Sequence, residues 1–251
     1  MERKLFELYR RMDTAKGRRV INMLENLELS HYTLNANYRE LLAAYELYMK
    51  DWSIVKPENR EKLSEFLKEL SRLLHNYLAS FSSFIDHIRV FLRRLENQQL
   101  NKGYDVEKKK VKIIEKTQFV KDLRNYSLHI QLATVRVVLG SIISIEGDRK
   151  GTIKGPLTLN KEDLMKWDGW SDISRKYLEQ FEDATRRKAI PLLSVGWNLL
   201  NECQESTEKL YHWLCEKVNS LYPIEIREFL EIRTQVRNLE SKISEKLLWL
   251  H

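Results

Sequence analysis

The chain has 251 residues, 43% of them hydrophobic, and its 43 Lys and Arg against 36 Asp and Glu give a formal net charge of +7. This is enough apolar material for one large helical domain or two small ones, while only two cysteines exclude a disulfide framework and a multi-cysteine metal site. The basic excess is spread along the chain, so it permits a polyanionic partner without requiring one.

The opening MERKLFELYRRMD is charged throughout, unlike a signal peptide, and the longest apolar stretch, Ile130 to Ile145, is interrupted by Gln131 and Arg136. A reduced, soluble, cytoplasmic protein with no membrane contact is expected. Residues 1–52 read as two scaffold helices, Glu2 to about Leu27 and about Ala36 to Trp52, with Asn35 capping the second and Gly17 interrupting the first.

After Pro57, the residues Leu63, Leu67, Leu70, Leu74, Tyr77, Phe81, Phe84, Ile88, Phe91 and Leu95 alternate in steps of four and three. That seam predicts one long helix from about Glu58 to Glu96, the spine of a packed bundle, with a dimer seam as the alternative. Asp86, His87, Arg89, Arg93 and Arg94 lie just off the stripe, either as a solvated flank or with Asp86 or His87 turned toward the central motif described below.

Asn97 to Asp105 reads as a loop, on the strength of Asn101, Lys102 and Gly103. Lys108, Lys109, Lys110 and Lys112 follow, as a solvated face or as candidates to track RNA phosphates. From about Val111 the pattern is helical, with Val111, Ile114, Phe119, Leu123 and Leu128 expected inward; residues 57–131 thus hold the long helix and the motif helix.

Residues 132–160 turn β-branched on either side of turn residues Glu146 to Gly151, which predicts a β-hairpin with a bulge near Gly140 and, from Pro156, a second strand at an edge. Residues 161–251 return to helices, with Asn160 and Ser171 as caps, Pro191 dividing a helical run to about Ser220, and a last helix from about Pro223. The expected fold is mainly α, an elongated helical bundle with a long central helix and one inserted β-hairpin, in a single domain over residues 1–251.

The chemistry concentrates in Thr117 to Gln131, TQFVKDLRNYSLHIQ, where Arg124 is followed by Asn125 and, five residues on, by His129. A guanidinium presents a planar fork that fits a phosphate, and an imidazole moves a proton near neutral pH, so the pair points to phosphodiester chemistry. Residues five apart point about 140° from one another on a straight helix. Cooperation therefore needs either a local irregularity or a second copy of the motif across a two-fold axis. Cys203, His212 and Cys215 lack a fourth ligand and read as packing residues, so no metal is expected; nor is there a phosphate loop, a nucleophile elbow or a His-Glu-x-x-His helix. His31, His75 and His251 prompt no role.

Arg124, Asn125 and His129, in the run DLRNYSLH, resemble the Arg-x(4 to 6)-His signature of the HEPN superfamily, and the run with the hairpin after it is similar to bacterial members of that group. The resemblance covers about fifteen residues. It implies a helical homodimer acting as a metal-independent, cofactor-free endoribonuclease, of a kind found in toxin-antitoxin and antiviral-defence systems, with an antitoxin or regulatory protein as a further partner. His129 would then be the acid or base, Arg124 the phosphate holder and Asn125 a positioning residue. Gln131 stands where some members of the superfamily carry a modified tyrosine. Other members have lost activity, and the corresponding reading here is a non-catalytic interaction or RNA-binding module in which Arg124 and His129 are structural.

Overall fold

The computed structural model describes residues 2–111, 113–143, 150–179, 189–193 and 199–248. The fold is mainly α with a small inserted sheet. Helices α1 (Glu2–Thr14) and α2 (Lys16–Lys50) are separated at Ala15, whose backbone is extended. The break therefore lies away from Asn35, which sits within α2 with its side chain on Gln204 and His31. Gly17 lies just inside α2, where a Cβ would come within 1.9 Å of the Glu225 carbonyl oxygen: its bareness lets α9 approach.

The long helix α3 (Arg60–Leu95) is the predicted spine. Its heptad residues from Leu70 to Phe91 are buried, and Ser71, Leu78, Ile85 and Leu92 bury a second stripe. Two apolar stripes can thus be covered at once, by α2 and α5 packing against α3. Glu96, at φ 52°, ends α3 in the left-handed region, and Arg19 Nη2 donates to the Arg94 carbonyl at 2.7 Å.

The predicted loop over Asn97 to Asp105 is instead most of helix α4 (Gln98–Lys110). Asn97 is its cap, with Oδ1 accepting from Leu100 N at 3.0 Å. Gly103 is a packing residue of that helix: a Cβ there would meet the Trp213 ring at 2.9 Å.

After α5 (Ile113–His129), strands β1 (Val135–Ile143) and β2 (Lys150–Asn160) form the expected antiparallel pair; residues 144–149, which include most of the predicted turn, lie outside the described residues. Gly140 keeps regular register opposite Ile153. The irregularity falls between Val137 and Leu139, where β2 supplies the extra residue around Gly155 and Pro156.

β2 is the central strand, not an edge, because β3 (Ala189–Leu193) pairs along its other side from Leu157 to Asn160. Pro156 is tolerated there because it sits in the bulge and beyond the end of the β3 ladder. Pro191 belongs to edge strand β3 rather than dividing a helix.

Helices α6 (Lys161–Met165) and α7 (Asp172–Glu179) follow β2. Asn160 caps α6 by accepting from Glu162 N at 3.0 Å, and Ser171 Oγ caps α7 by accepting from Ser174 N at 3.3 Å. Helix α8 (Leu199–Leu221) is buried along Leu199, Cys203, Leu210, Leu214 and Val218. Helix α9 (Pro223–Leu248) puts Ile232 and Val236 against Leu8 of α1 in a small second core. Among the described residues no helix is long and apolar enough to cross a membrane.

Candidate active site on helix α5

The apolar back of α5 is Phe119, Val120, Leu123 and Tyr126, all buried. Phe119 stacks on Trp170 with ring centroids 5.7 Å apart, and Tyr126 stacks on the same indole at 6.1 Å. Trp167 meets Trp170 edge-on at 5.0 Å, and Trp170 Nε1 donates to the Leu164 carbonyl at 2.7 Å. These aromatic rings grip one side of α5, so its rotation about its own axis is fixed.

The same side carries Asp122, which is buried. Its Oδ1 accepts from Gln118 Nε2 at 2.8 Å, and its Oδ2 accepts from Ser171 N, Ser171 Oγ and Ser174 Oγ at 3.1, 2.6 and 2.7 Å. The carboxylate thus ties the start of α7 to α5. Ser171 and Ser174 lie about fifty residues further on, so no local spacing announces this role for Asp122.

Fixing that back face turns Thr117, Lys121, Arg124, Asn125 and Leu128 to the opposite side, while His129, about 140° from Arg124 and about 20° from Asp122 around the axis, leaves the end of the helix on the other flank. Arg124 is half-buried, and its Nη1 donates to Asn125 Oδ1 at 3.3 Å. Its Nε is shielded from solvent with no hydrogen-bond partner, and among the described residues no carboxylate pairs with the guanidinium. His129 is exposed as the last residue of α5. Leu128, expected inward, is 45% exposed, since the core already holds Leu123 and Tyr126 on the far side of the helix. With Ile130 at 56% and Leu132 at 44%, it forms an apolar margin beside the motif.

The other predicted residues fall elsewhere. Asp86 is exposed and pairs with Arg89 at 2.8 Å; His87 lines the groove between α2 and α3, and neither bonds to Arg124 or His129. Lys108, Lys109 and Lys110 form the last turn of α4, where cations suit the carbonyl end of a helix; Lys108 pairs with Asp105 at 3.2 Å and Lys110 with Glu107 at 2.9 Å. Lys112 lies outside the described residues. Cys203 is buried in the core and Cys215 is half-buried against Tyr211; among the described residues no group of three His, Cys, Asp or Glu is placed to hold a metal.

One polar pair went unseen. Buried His31 has Nε2 2.5 Å from Glu208 Oε2, and its ring stacks on Tyr211 at 3.9 Å. Burial pushes its pKa below the ordinary 6.5, against the opposing pull of Glu208. The pair is separated by 177 residues, so no local spacing announces it. No family model, no curated protein and no solved structure matches this chain.

Proposed function

We propose that the chain is a metal-independent endoribonuclease of HEPN type, acting as a homodimer, with Arg124 and His129 as its catalytic residues. The observation that carries this reading is the state of Arg124: half-buried and without a carboxylate partner among the described residues, with exposed His129 ending the same helix. A purely structural guanidinium in such a place is expected to have its donors matched by a carboxylate. Among the described residues this one is held only by Asn125, which leaves donors for a phosphate.

In the proposed reaction the 2′-hydroxyl attacks the adjacent phosphorus and the 5′-oxygen leaves, giving a 2′,3′-cyclic phosphate. His129 moves the proton at one of these oxygens, Arg124 stabilises the charge that builds on the phosphate, and Asn125 orients Arg124. General acid-base help of this kind is worth about 10² to 10⁴ in rate, and a preorganised donor a comparable amount. The exposed Leu128, Ile130 and Leu132 beside the motif support a two-fold contact there, which would bring the arginine of one protomer toward the histidine of its partner.

The test is cleavage of a mixed RNA substrate in EDTA by the wild type, His129→Ala and Arg124→Ala, with fold and molar mass checked for each. Wild-type cleavage with cyclic phosphate ends, reduced at least about a hundredfold in both folded variants, is expected. Undiminished cleavage by His129→Ala, or a folded wild type that cuts no RNA offered, overturns the reading in favour of a non-catalytic interaction or RNA-binding module.

A further inference from the structure

A cleft of about 500 Å³ opens between α3, α4 and α5, within the size range of small-molecule sites. Its floor is apolar, formed by Ile85, Leu92 and the ring of Tyr104, all buried. Its walls carry four cations, Arg89, Arg93, Lys108 and Lys121, against a single carboxylate, Asp105. Arg89 is engaged by Asp86, and Lys108 by Asp105 and by the Tyr104 ring, 5.4 Å from its Nζ. Arg93 and Lys121 have no acidic partner among the described residues, and they face the cleft from α3 and α5.

Two further groups define what fits. The residues Asn101 and Thr117 line the cleft, and Asn101 Oδ1 and Thr117 Oγ1 are shielded from solvent at its edge with no hydrogen-bond partner, so a small turn of either side chain would present them to a ligand. A buried polar atom without a partner costs free energy, which a ligand group can recover. The carbonyl oxygen of Asn101 can only accept, so it calls for an O–H or N–H donor, whereas the cations call for an anion. A bare phosphate meets the second demand alone. A phosphate ester with a neighbouring hydroxyl meets both.

We propose that this cleft binds a phosphorylated sugar, free or as a unit of a nucleotide chain, with the phosphate on Arg93 and Lys121 and a sugar hydroxyl donating to Asn101 Oδ1. Thr117 Oγ1 completes the set, as donor or acceptor. The site requires nothing of Arg124 or His129 and stands whether or not the chain cuts RNA.

The experiment is calorimetric titration of the full chain with ribose 5-phosphate, with inorganic phosphate and ribose as controls. Ribose 5-phosphate is expected to bind at least about tenfold more tightly than either control, and Arg93→Ala and Lys121→Ala each to weaken it about tenfold, the scale of one charge-assisted hydrogen bond. Asn101→Leu, which keeps the shape and removes the acceptor, weakens ribose 5-phosphate while leaving inorganic phosphate unchanged.

An RNA oligonucleotide with its 2′-hydroxyls intact, offered to His129→Ala so that it stays uncut, separates the two sources. Competition with ribose 5-phosphate assigns the cleft to a nucleic-acid strand, and its absence assigns the cleft to a free sugar phosphate. Failure of ribose 5-phosphate to bind, equal binding of inorganic phosphate, or unchanged binding in Arg93→Ala and Lys121→Ala overturns the proposal. Binding retained by His129→Ala in a chain that cuts no RNA would sink the ribonuclease reading and leave this one standing.

Discussion

Asp122 and Arg124 lie two residues apart on α5, about 160° apart around its axis, and the polar groups on the two sides of the helix are matched to different degrees. At Asp122 the two carboxylate oxygens take four hydrogen bonds, three of them from Ser171 and Ser174 at the start of α7. Across the helix, Arg124 Nε and Thr117 Oγ1 are shielded and unpaired, and Asn101 Oδ1 on α4 is in the same condition. The first cluster is finished within the fold and has no chemistry left to offer. The second is unfinished, and the missing partners are what a ligand would supply.

The finished cluster should break hardest. Asp122→Ala strands donors from Gln118, Ser171 and Ser174 in a shielded place, and loss of about 3 kcal/mol of stability is expected, since each unmatched buried group costs on the order of 1–3 kcal/mol. For a chain of this size that is a melting temperature lower by about 6–12 °C. Urea denaturation would read it, and a change under about 0.5 kcal/mol would show that the network is ornamental.

A smaller effect separates the finished clusters themselves. His31 is completed by Glu208, yet burial still holds its pKa below 6.5, with His212 acting in the same direction and Glu208 and Glu28 against it. The unfolded chain therefore takes up this proton first as pH falls. Stability from this group is fully present above about 6.5 and declines on acidification toward the lowered folded value. His31→Gln should flatten that part of the stability profile between pH 7 and 5, and a profile unchanged by the substitution would place the acid sensitivity elsewhere.

How much of this was legible depends on the range of the interactions. The α3 seam could be read because a heptad repeat is local, and its residues from Leu70 to Phe91 are buried as the pattern required. The β1–β2 pair could be read because β-branching and turn residues are local as well. Asn35 looked like a cap, but its partners include Gln204 on α8; Gly103 looked like a turn, but the Trp213 ring takes the space of its missing Cβ. Pro191 was assigned to helix because the ladder that holds β3 comes from Leu157 to Asn160, more than thirty residues earlier. At the candidate site, residue chemistry alone singled out Arg124, Asn125 and His129. The complete bonding of Asp122, the cleft around Arg93 and Lys121, and the outward turn of Leu128 follow from packing that no window of sequence contains.

The smallest expected effect is the sharpest test of the contrast across α5. Arg124→Met keeps an unbranched stem of similar length and removes the guanidinium, and with it both the unpaired Nε and the 3.3 Å bond to Asn125. Removing an unmatched buried donor favours the folded state, while losing a long hydrogen bond disfavours it. The two should nearly cancel, leaving stability within about 1 kcal/mol of wild type. Denaturation of this variant beside Asp122→Ala would measure the difference directly. If Arg124→Met proved as damaging as Asp122→Ala, the arginine would be part of the scaffold, and its lack of an acidic partner would no longer argue for a phosphate. If it is nearly neutral to folding, the arginine is there for something the folded chain does not itself require.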